Sequence, residues 1–408
     1  MNIIYPVCCG IDVHKKNVVA TLLVTNTDTT FSETTKTFST MTSDLLRLKE
    51  WLCQNQCAYV AMESTGKYWI PVSNILEDSF EVTLANPKFI KNVPGKKTDP
   101  NDSRWIAKLH RLGLVPGSFL PPKEIRELRE LTRYRQKLIS MRTSEKQRVH
   151  NTLTVCNIMI ANVASDIFGV SGSSIISSLI EGKELTHDDL SRMVKGKLRE
   201  KVPELVKALE GKMSQHHVQK LSLSLNHYLT INESIAEVEA IIRQKCAPFK
   251  SVIDLLLTVP GVNHTAAQAI LAEIGPDMSV FHSAEHLSSW AGVSPKNNSS
   301  AGKKKSKRIT NGDAYLKTIL CQCAHAAVKK KDCYLGVKYN TLKARRGTQK
   351  AIIAICRVLL VAIYHMLVNN TPYQNVDRAT YVSKSAKLTE QALVKKLQAL
   401  GYNIQKAE

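Results

Sequence analysis

Acidic residues are scarce in this 408-residue chain: 35 Asp and Glu stand against 56 Lys and Arg, a formal net charge of +21. Small domains stay soluble with a net charge of about 2 to 8, so the excess argues against a cationic partner and for a polyanion, with nucleic acid foremost. Paired Cys-x-x-Cys knuckles are missing although there are ten cysteines, which excludes a zinc framework. Cys53 and Cys57, four apart with no matching His or Cys pair, are expected as buried free thiols on one helix face, and the usage suits a reducing cytoplasm. No 18-residue uncharged apolar segment stands out and no basic stretch precedes the short apolar run near the N-terminus, so neither membrane insertion nor export is expected. Proline (14) and glycine (18) are too few for a fibrous or low-complexity chain.

What is present is long enough for two or three structural units, because single cores rarely exceed roughly 250 residues. From Val7 to Asn86 apolar runs alternate with amphipathic stretches. VCCGIDV, VVATLLV and TKTFST are expected as a strand meander. A helix at LLRLKEWL, a strand at YVAME, a helix over Trp69 to Leu76 and a strand at VTLAN then read as a parallel addition. A further helix is expected from Asn101 to Leu112, with Asp99 or Asn101 as its cap. This order is that of a ribonuclease-H/RuvC-like α/β domain, placed at 1–120.

After Pro121 and Pro122 the texture becomes helical, with Ile125, Leu128, Leu131, Leu138 and Met141 at helical spacing. The stretch 121–250 is expected as a helical or coiled-coil linker, either an oligomerisation surface or a spacer bundle within one chain. Residues 251–375 follow as a mainly helical domain, opening on LLLTVPGVNHTAAQAILAEIG, a helix-hairpin-helix pattern whose turn would face backbone N–H groups to a phosphate. Residues 376–408 read as a detachable tail.

Asp12 ends an apolar strand, Glu63 ends another, and Asp99 and Asp102 stand three apart at a helix start. In a ribonuclease-H-like sheet the first and fourth strands are neighbours and the last helix is expected across their ends. The four acids would then converge and hold magnesium, or manganese, as two ions about 4 Å apart. Lys88, Lys91, Lys96, Lys97, Arg104, Lys108 and Arg111 would offset their repulsion of DNA. Sugar and acetate kinases also begin with a strand ending in Asp, but need small residues after it to approach a phosphate. Here His14, Lys15, Lys16 and Asn17 follow.

The segment 296–308 reads as a basic loop. Ser299 and Ser300 precede Lys303, Lys304, Lys305, Lys307 and Arg308, with no acid between. A serine hydroxyl needs a base or a metal before it can attack a phosphodiester, and the cations could hold the phosphate.

The GID at Asp12, MESTGKYW at Glu63, KTDPNDS at Asp99 and Asp102, the VPGV turn and AGVSPKNNSSAGK together resemble the DEDD transposases of the insertion-sequence 110 family, over about residues 5 to 375. The resemblance implies a RuvC-like domain holding the four acids, a coiled coil, and a second transposase domain whose serine completes the site. It carries that serine to Ser300 or its neighbour Ser299. It further implies recombination of donor and target DNA guided by a bridge RNA, in a homo-oligomeric protein of the bacterial or archaeal nucleoid. The residues leave two rivals: a junction-resolving nuclease with a water nucleophile, and a nucleic-acid-binding protein without catalysis.

Overall fold

The computed structural model describes residues 3–26, 30–64, 66–85, 102–295, 298–300, 303–306, 308–309, 311–331 and 333–402, and for 298–300 and 303–306 it describes the backbone. The chain divides into two compact units, Met1–Leu120 and Pro121–Glu408.

The first unit contains β1 (Val7–Val13), β2 (Asn17–Thr25), β3 (Phe31–Ser39), α1 (Thr42–Gln54), β4 (Tyr59–Glu63), α2 (Trp69–Leu76), β5 (Glu81–Ala85) and α3 (Asp102–Arg111). The sheet order is β3-β2-β1-β4-β5, antiparallel through β1, β2 and β3 and parallel through β1, β4 and β5. The meander and the parallel addition are both there, and this mixed sheet with its helices is the ribonuclease-H/RuvC-like fold. Because strand side chains alternate between faces, β1 divides its residues. Cys9, Ile11 and Val13 join Leu45, Leu48 and Leu52 of α1 and Val72 and Leu76 of α2 on one side. Cys8 meets Ala107 of α3 on the other. Both faces of the central strands are covered, which is why β1 and β2 read as nearly unbroken apolar runs.

The last helix lies over the sheet face rather than across the strand ends. The cause is Gly10: a Cβ there would stand 2.3 Å from both the Ala107 nitrogen and the Ser103 carbonyl oxygen. The helix backbone therefore rests on the β1 backbone. Ser103 Oγ is 2.8 Å from Thr21 Oγ1, which is 2.9 Å from Thr35 Oγ1, and Arg104 donates to Glu33 at 2.6 Å. At the other end of α3, the Arg111 carbonyl accepts from the amides of Ile4 and Tyr5, so the helix runs opposite to β1.

In the second unit α4 (Lys123–Val155) is followed by α5 (Ile160–Val163), α6 (Val170–Ile180), α7 (His187–Met193), a 3-10 turn (Gly196–Lys201), α8 (Val202–Ala208) and α9 (Gln215–Cys246). Helices α4 and α9 form an antiparallel pair, cross-braced by Lys245 to Glu127, Arg135 to Glu239, Arg142 to Asn232 and His227 to Glu145. Ile125, Leu128 and Leu138 are buried along the seam. Met141, expected in the same stripe, is 46% exposed. A 3.6-residue helix drifts relative to its straight partner, and the buried face has moved on to Glu145, Val149 and Thr152. The short helices close the far end of this pair around Ile160, Ile175, Ile176, Leu190 and Leu205.

The chain continues through α10 (Lys250–Leu257), α11 (His264–Ile274), α12 (Ala284–Trp290), β6 (Asn298–Ser300), β7 (Lys303–Ser306), α13 (Ala314–Ala327), α14 (Tyr334–Arg346), α15 (Thr348–Asn369) and α16 (Arg378–Ala399). Helix α15 is long and apolar enough to cross a membrane by composition; here Ile352, Ile355, Leu359 and Ile363 are buried as it packs against α12, α13 and α14. The tail expected to be detachable is largely helical, and its α16 touches α14. All ten cysteines are free; Cys53 is exposed, and Cys57 lies beyond the end of α1 rather than on its face.

The Gly10 contact sets a test. Gly10→Ala would force α3 off the sheet and should cost on the order of 3 kcal/mol, read as a lower Tm by circular dichroism. Gly117→Ala, whose Cβ would meet only Thr83 Cγ2 at 3.6 Å, should leave the melt unchanged.

Candidate active site

Asp12 is the sixth of seven residues in β1, and β4 ends on Glu63. The parallel register pairs Gly10 with Ala61 and Ile11 with Met62, so Asp12 and Glu63 come next, side by side. Asp12 shares its face with Gly10 and Cys8, and Glu63 shares its face with Ala61, which packs against α3. Asp102 is the first residue of α3, the end that lies towards Asp12. The structure thus brings three of the four expected acids to one corner of one face. Asp99 falls outside the described residues, as does the expected cap Asn101.

Electrostatics register the convergence. Burial raises the Asp12 carboxyl above its ordinary value, His14 pulls it back down, and the charges of Asp102 and Glu63 raise it further. His14 Nε2 stands 2.9 Å from Asp12 Oδ2, a contact that spacing along a strand end did not announce. Among the described residues no group of three or more His, Cys, Asp or Glu stands close enough together to hold a metal ion. Carboxylates spaced like Asp12, Glu63 and Asp102 could share a hard divalent cation only if water or substrate oxygens completed its ligands.

The cations expected around the acids fare differently. Arg104 is ion-paired with Glu33. Arg111 is buried, donating to Thr25 Oγ1 with its guanidinium 5.0 Å from the Phe31 ring centre, and so contributes packing rather than a surface charge. Lys88, Lys91, Lys96 and Lys97 lie outside the described residues.

The segment expected to be a basic loop is a two-stranded ribbon. Ser300 pairs with Lys303 and Ser299 with Lys304, with an irregularity in register between Asn298 and Ser299. Lys305 lies in β7, Arg308 is exposed beyond it, and Lys307 is outside the described residues. The base of the ribbon is fixed firmly. Pro295 bridges Ile309, the Asp313 amide donates to the Trp290 carbonyl at 3.1 Å, and a Cβ on Gly312 would stand 2.0 Å from the Gly292 nitrogen. Asp313 caps α13 and also accepts from Arg133 of α4 at 2.8 Å. Arg133 in turn forks onto Glu273 of α11, which is 1% exposed and receives Arg129 as well. Burial raises the Glu273 carboxyl, and the hydrogen bond from Arg133 counteracts this. Sequence reasoning missed this cluster, although a signal for it exists: the single acid inside ILAEIG is an acid on an apolar helix face, which needs a partner.

Between α10 and α11 the turn carries Val259, Pro260 and Gly261, with Gly261 at φ +83° and its Cα against the Cys323 carbonyl of α13. Asn263 caps α11 by accepting from the Ala266 amide, and Gly275 ends it at φ +73°.

Two family models match this chain. One for DEDD transposases of the IS110 type covers residues 9–158, and one described as transposase IS116/IS110/IS902 family covers 253–339. The chain belongs to the IS110 family of transposases. It is 23% identical over 289 residues to a probable family 20 transposase of Pseudomonas aeruginosa, covering 69% of this chain and 75% of that protein. It is 22% identical over 325 residues to the transposase for insertion sequence element IS1111A of Coxiella burnetii, covering 77% and 79%. Thermus thermophilus RuvC aligns at a TM-score of 0.22 with 14% identity, over 28% of this chain and 99% of RuvC. Family membership makes this transposase a DNA-cutting and rejoining enzyme, with DNA as its substrate.

Two consequences can be measured. A carboxyl raised in the folded state holds its proton more tightly than the unfolded chain does. Stability then falls as pH rises through the interval above the ordinary value of 3.8 and stays reduced at neutral pH. Asp12→Asn should therefore raise the Tm at pH 7 in metal-free buffer, with the gain shrinking towards pH 3.8; a lower Tm at pH 7 would mean that the His14 contact outweighs the repulsion. Glu273→Ala strands Arg129 and Arg133 in a poorly hydrated site and should cost about 3 kcal/mol in denaturant unfolding.

Proposed function

We propose that this transposase mobilises its own insertion sequence by cutting and rejoining donor and target DNA, guided by a bridge RNA and acting as a homo-oligomer. In this reading Asp12, Glu63, Asp99 and Asp102 hold magnesium, for which manganese can substitute, and Ser300 or Ser299 is the nucleophile. The observation that carries it is the convergence of Asp12, Glu63 and Asp102 at one corner of the sheet, with the Asp12 carboxyl raised by burial and further by its two acidic neighbours.

A divalent ion at these carboxylates would polarise the scissile phosphate. The serine hydroxyl oxygen attacks phosphorus, the bond from phosphorus to the departing sugar oxygen breaks, and the strand is left joined to the protein. The serine proton passes to a base and the sugar oxygen gains a proton; a hydroxyl of the new strand then displaces the serine by the reverse steps. The charged groups of Lys303, Lys304, Lys305, Lys307 and Arg308 would grip the phosphates on either side and offset charge on the transition state. Lys96, Lys97 and the α10–α11 turn, as a helix-hairpin-helix, would add backbone contacts without sequence preference. Ser299 and Ser300 occupy consecutive positions of β6.

The test is recombination between donor and target plasmids in cells, with the element's flanking noncoding DNA supplied. Asp12→Ala and one of Ser299→Ala and Ser300→Ala should each reduce recombinants by about a thousandfold or more. Full activity in both serine variants alongside loss in Asp12→Ala would replace the serine by water and make the protein a RuvC-like junction-resolving nuclease.

A further inference from the structure

The last helix, α16, which lies beyond the residues matched by the family models, completes a cavity of its own. Lys329, Lys330 and Lys331 follow α13, Gly336 and Asn340 stand on the first half of α14, and Arg378 opens α16. These residues line a cavity of about 140 Å³. That is well below the roughly 300–1,000 Å³ of small-molecule sites, a size for a single anionic group. The start of α16 is placed against α14 by aromatic contacts: the rings of Tyr381 and Tyr334 lie 4.9 Å apart, and Tyr334 also hydrogen-bonds Tyr373.

The arrangement is electrostatically unfavourable by itself. Lysines after a helix C-terminus complement its dipole, which accounts for Lys329, Lys330 and Lys331. Arg378, in contrast, sits at the positive end of α16, and the positive end of α14 lines the same cavity, with Cys333 offering no side-chain cap. None of the four cations forms an ion pair among the described residues, unlike Arg104, Arg133 and Lys245. Asp377 is engaged in capping α16, accepting from the Thr380 amide, and Asp332 lies outside the described residues. The four cations are exposed, so water solvates them as they stand, but an anion between them would be attracted by all four and by two helix starts.

We propose that this cavity is a phosphate-binding site that grips one phosphodiester of a nucleic-acid backbone, and that α16 serves the transposase by supplying Arg378 to it. The site shares no residue with the acids or the serine ribbon, so the proposal holds whether or not a serine is the nucleophile.

The experiment uses the full chain and fluorescence anisotropy, titrating labelled duplex DNA in one arm and labelled single-stranded RNA in the other between 50 and 200 mM salt. Loss of one phosphate contact flattens the slope of log affinity against log salt by about 0.9 on duplex DNA and about 0.7 on a single strand. Arg378→Gln and Lys330→Gln should each show this on at least one polymer, and the polymer that responds identifies the source of the phosphate. Arg378→Lys should restore most of the slope. Lys395→Gln, which removes an exposed charge from the far half of the same helix, should leave it unchanged. Wild-type slopes for Arg378→Gln on both polymers, or an equal flattening by Lys395→Gln, would overturn the proposal.

Discussion

The seating of α3 on β1 at Gly10 is the contact on which the acidic corner depends. With no side chain at Gly10, the backbones of Ser103 and Ala107 come down onto the strand, and the hydrogen bond between the Ser103 and Thr21 hydroxyls fixes the helix along it. Asp102 is one residue away from that hydrogen bond. Its approach to Asp12 is thus an outcome of packing, which the carboxylates themselves oppose. Burial and like charge both raise Asp12, so the fold's apolar contacts and its small residues under the helix must outweigh the repulsion. A site for a hard cation needs this balance: a scaffold stable enough to keep acids together before a cation neutralises them.

The second unit solves a different problem with a similar device. Its serine ribbon is a short two-stranded element, marginal in water by itself. It gains definition from its base, where Gly312 lies on the Ala291–Gly292 backbone and Asp313 joins the buried ion cluster of Arg129, Arg133 and Glu273. That cluster ties the start of α13 to α11 and to the long helix α4. A buried ionic group of this kind is weak evidence for stability; what it supplies here is a fixed attachment. The long helices thus do more than space the ends of the chain. Through Arg133 the shaft of α4 holds the ribbon's base within the same unit.

Much of this fold is legible in the order of residues alone. Alternating apolar runs locate every strand of the first sheet and the helix over Trp69–Leu76, because periods of 2.0 and 3.6 residues are written directly into the order of side chains. Asp12, Glu63 and Asp102 are legible as acids at element ends. The departures have physical reasons. Arg104 and Arg111 read as surface cations, but Glu33 and the Phe31 ring come from β3, far away in sequence. Met141 falls off its stripe through helical drift. The ribbon hides inside a run of lysines, a composition that says solvent exposure and nothing about pairing.

The sequence by itself determined the kind of elements, their order and the chemistry they carry, since these follow from side-chain periodicity and from the residue types at element ends. It determined also that the partner is a polyanion, because net charge is a sum that folding does not alter. The tertiary structure decided which of those charges are free to act. Arg104, Arg129 and Arg133 are committed to carboxylates from distant segments, whereas Lys330 and Arg378 are left facing one cavity. Pairing of that sort depends on distances of a few ångströms between residues up to 180 positions apart, and linear order holds no record of them.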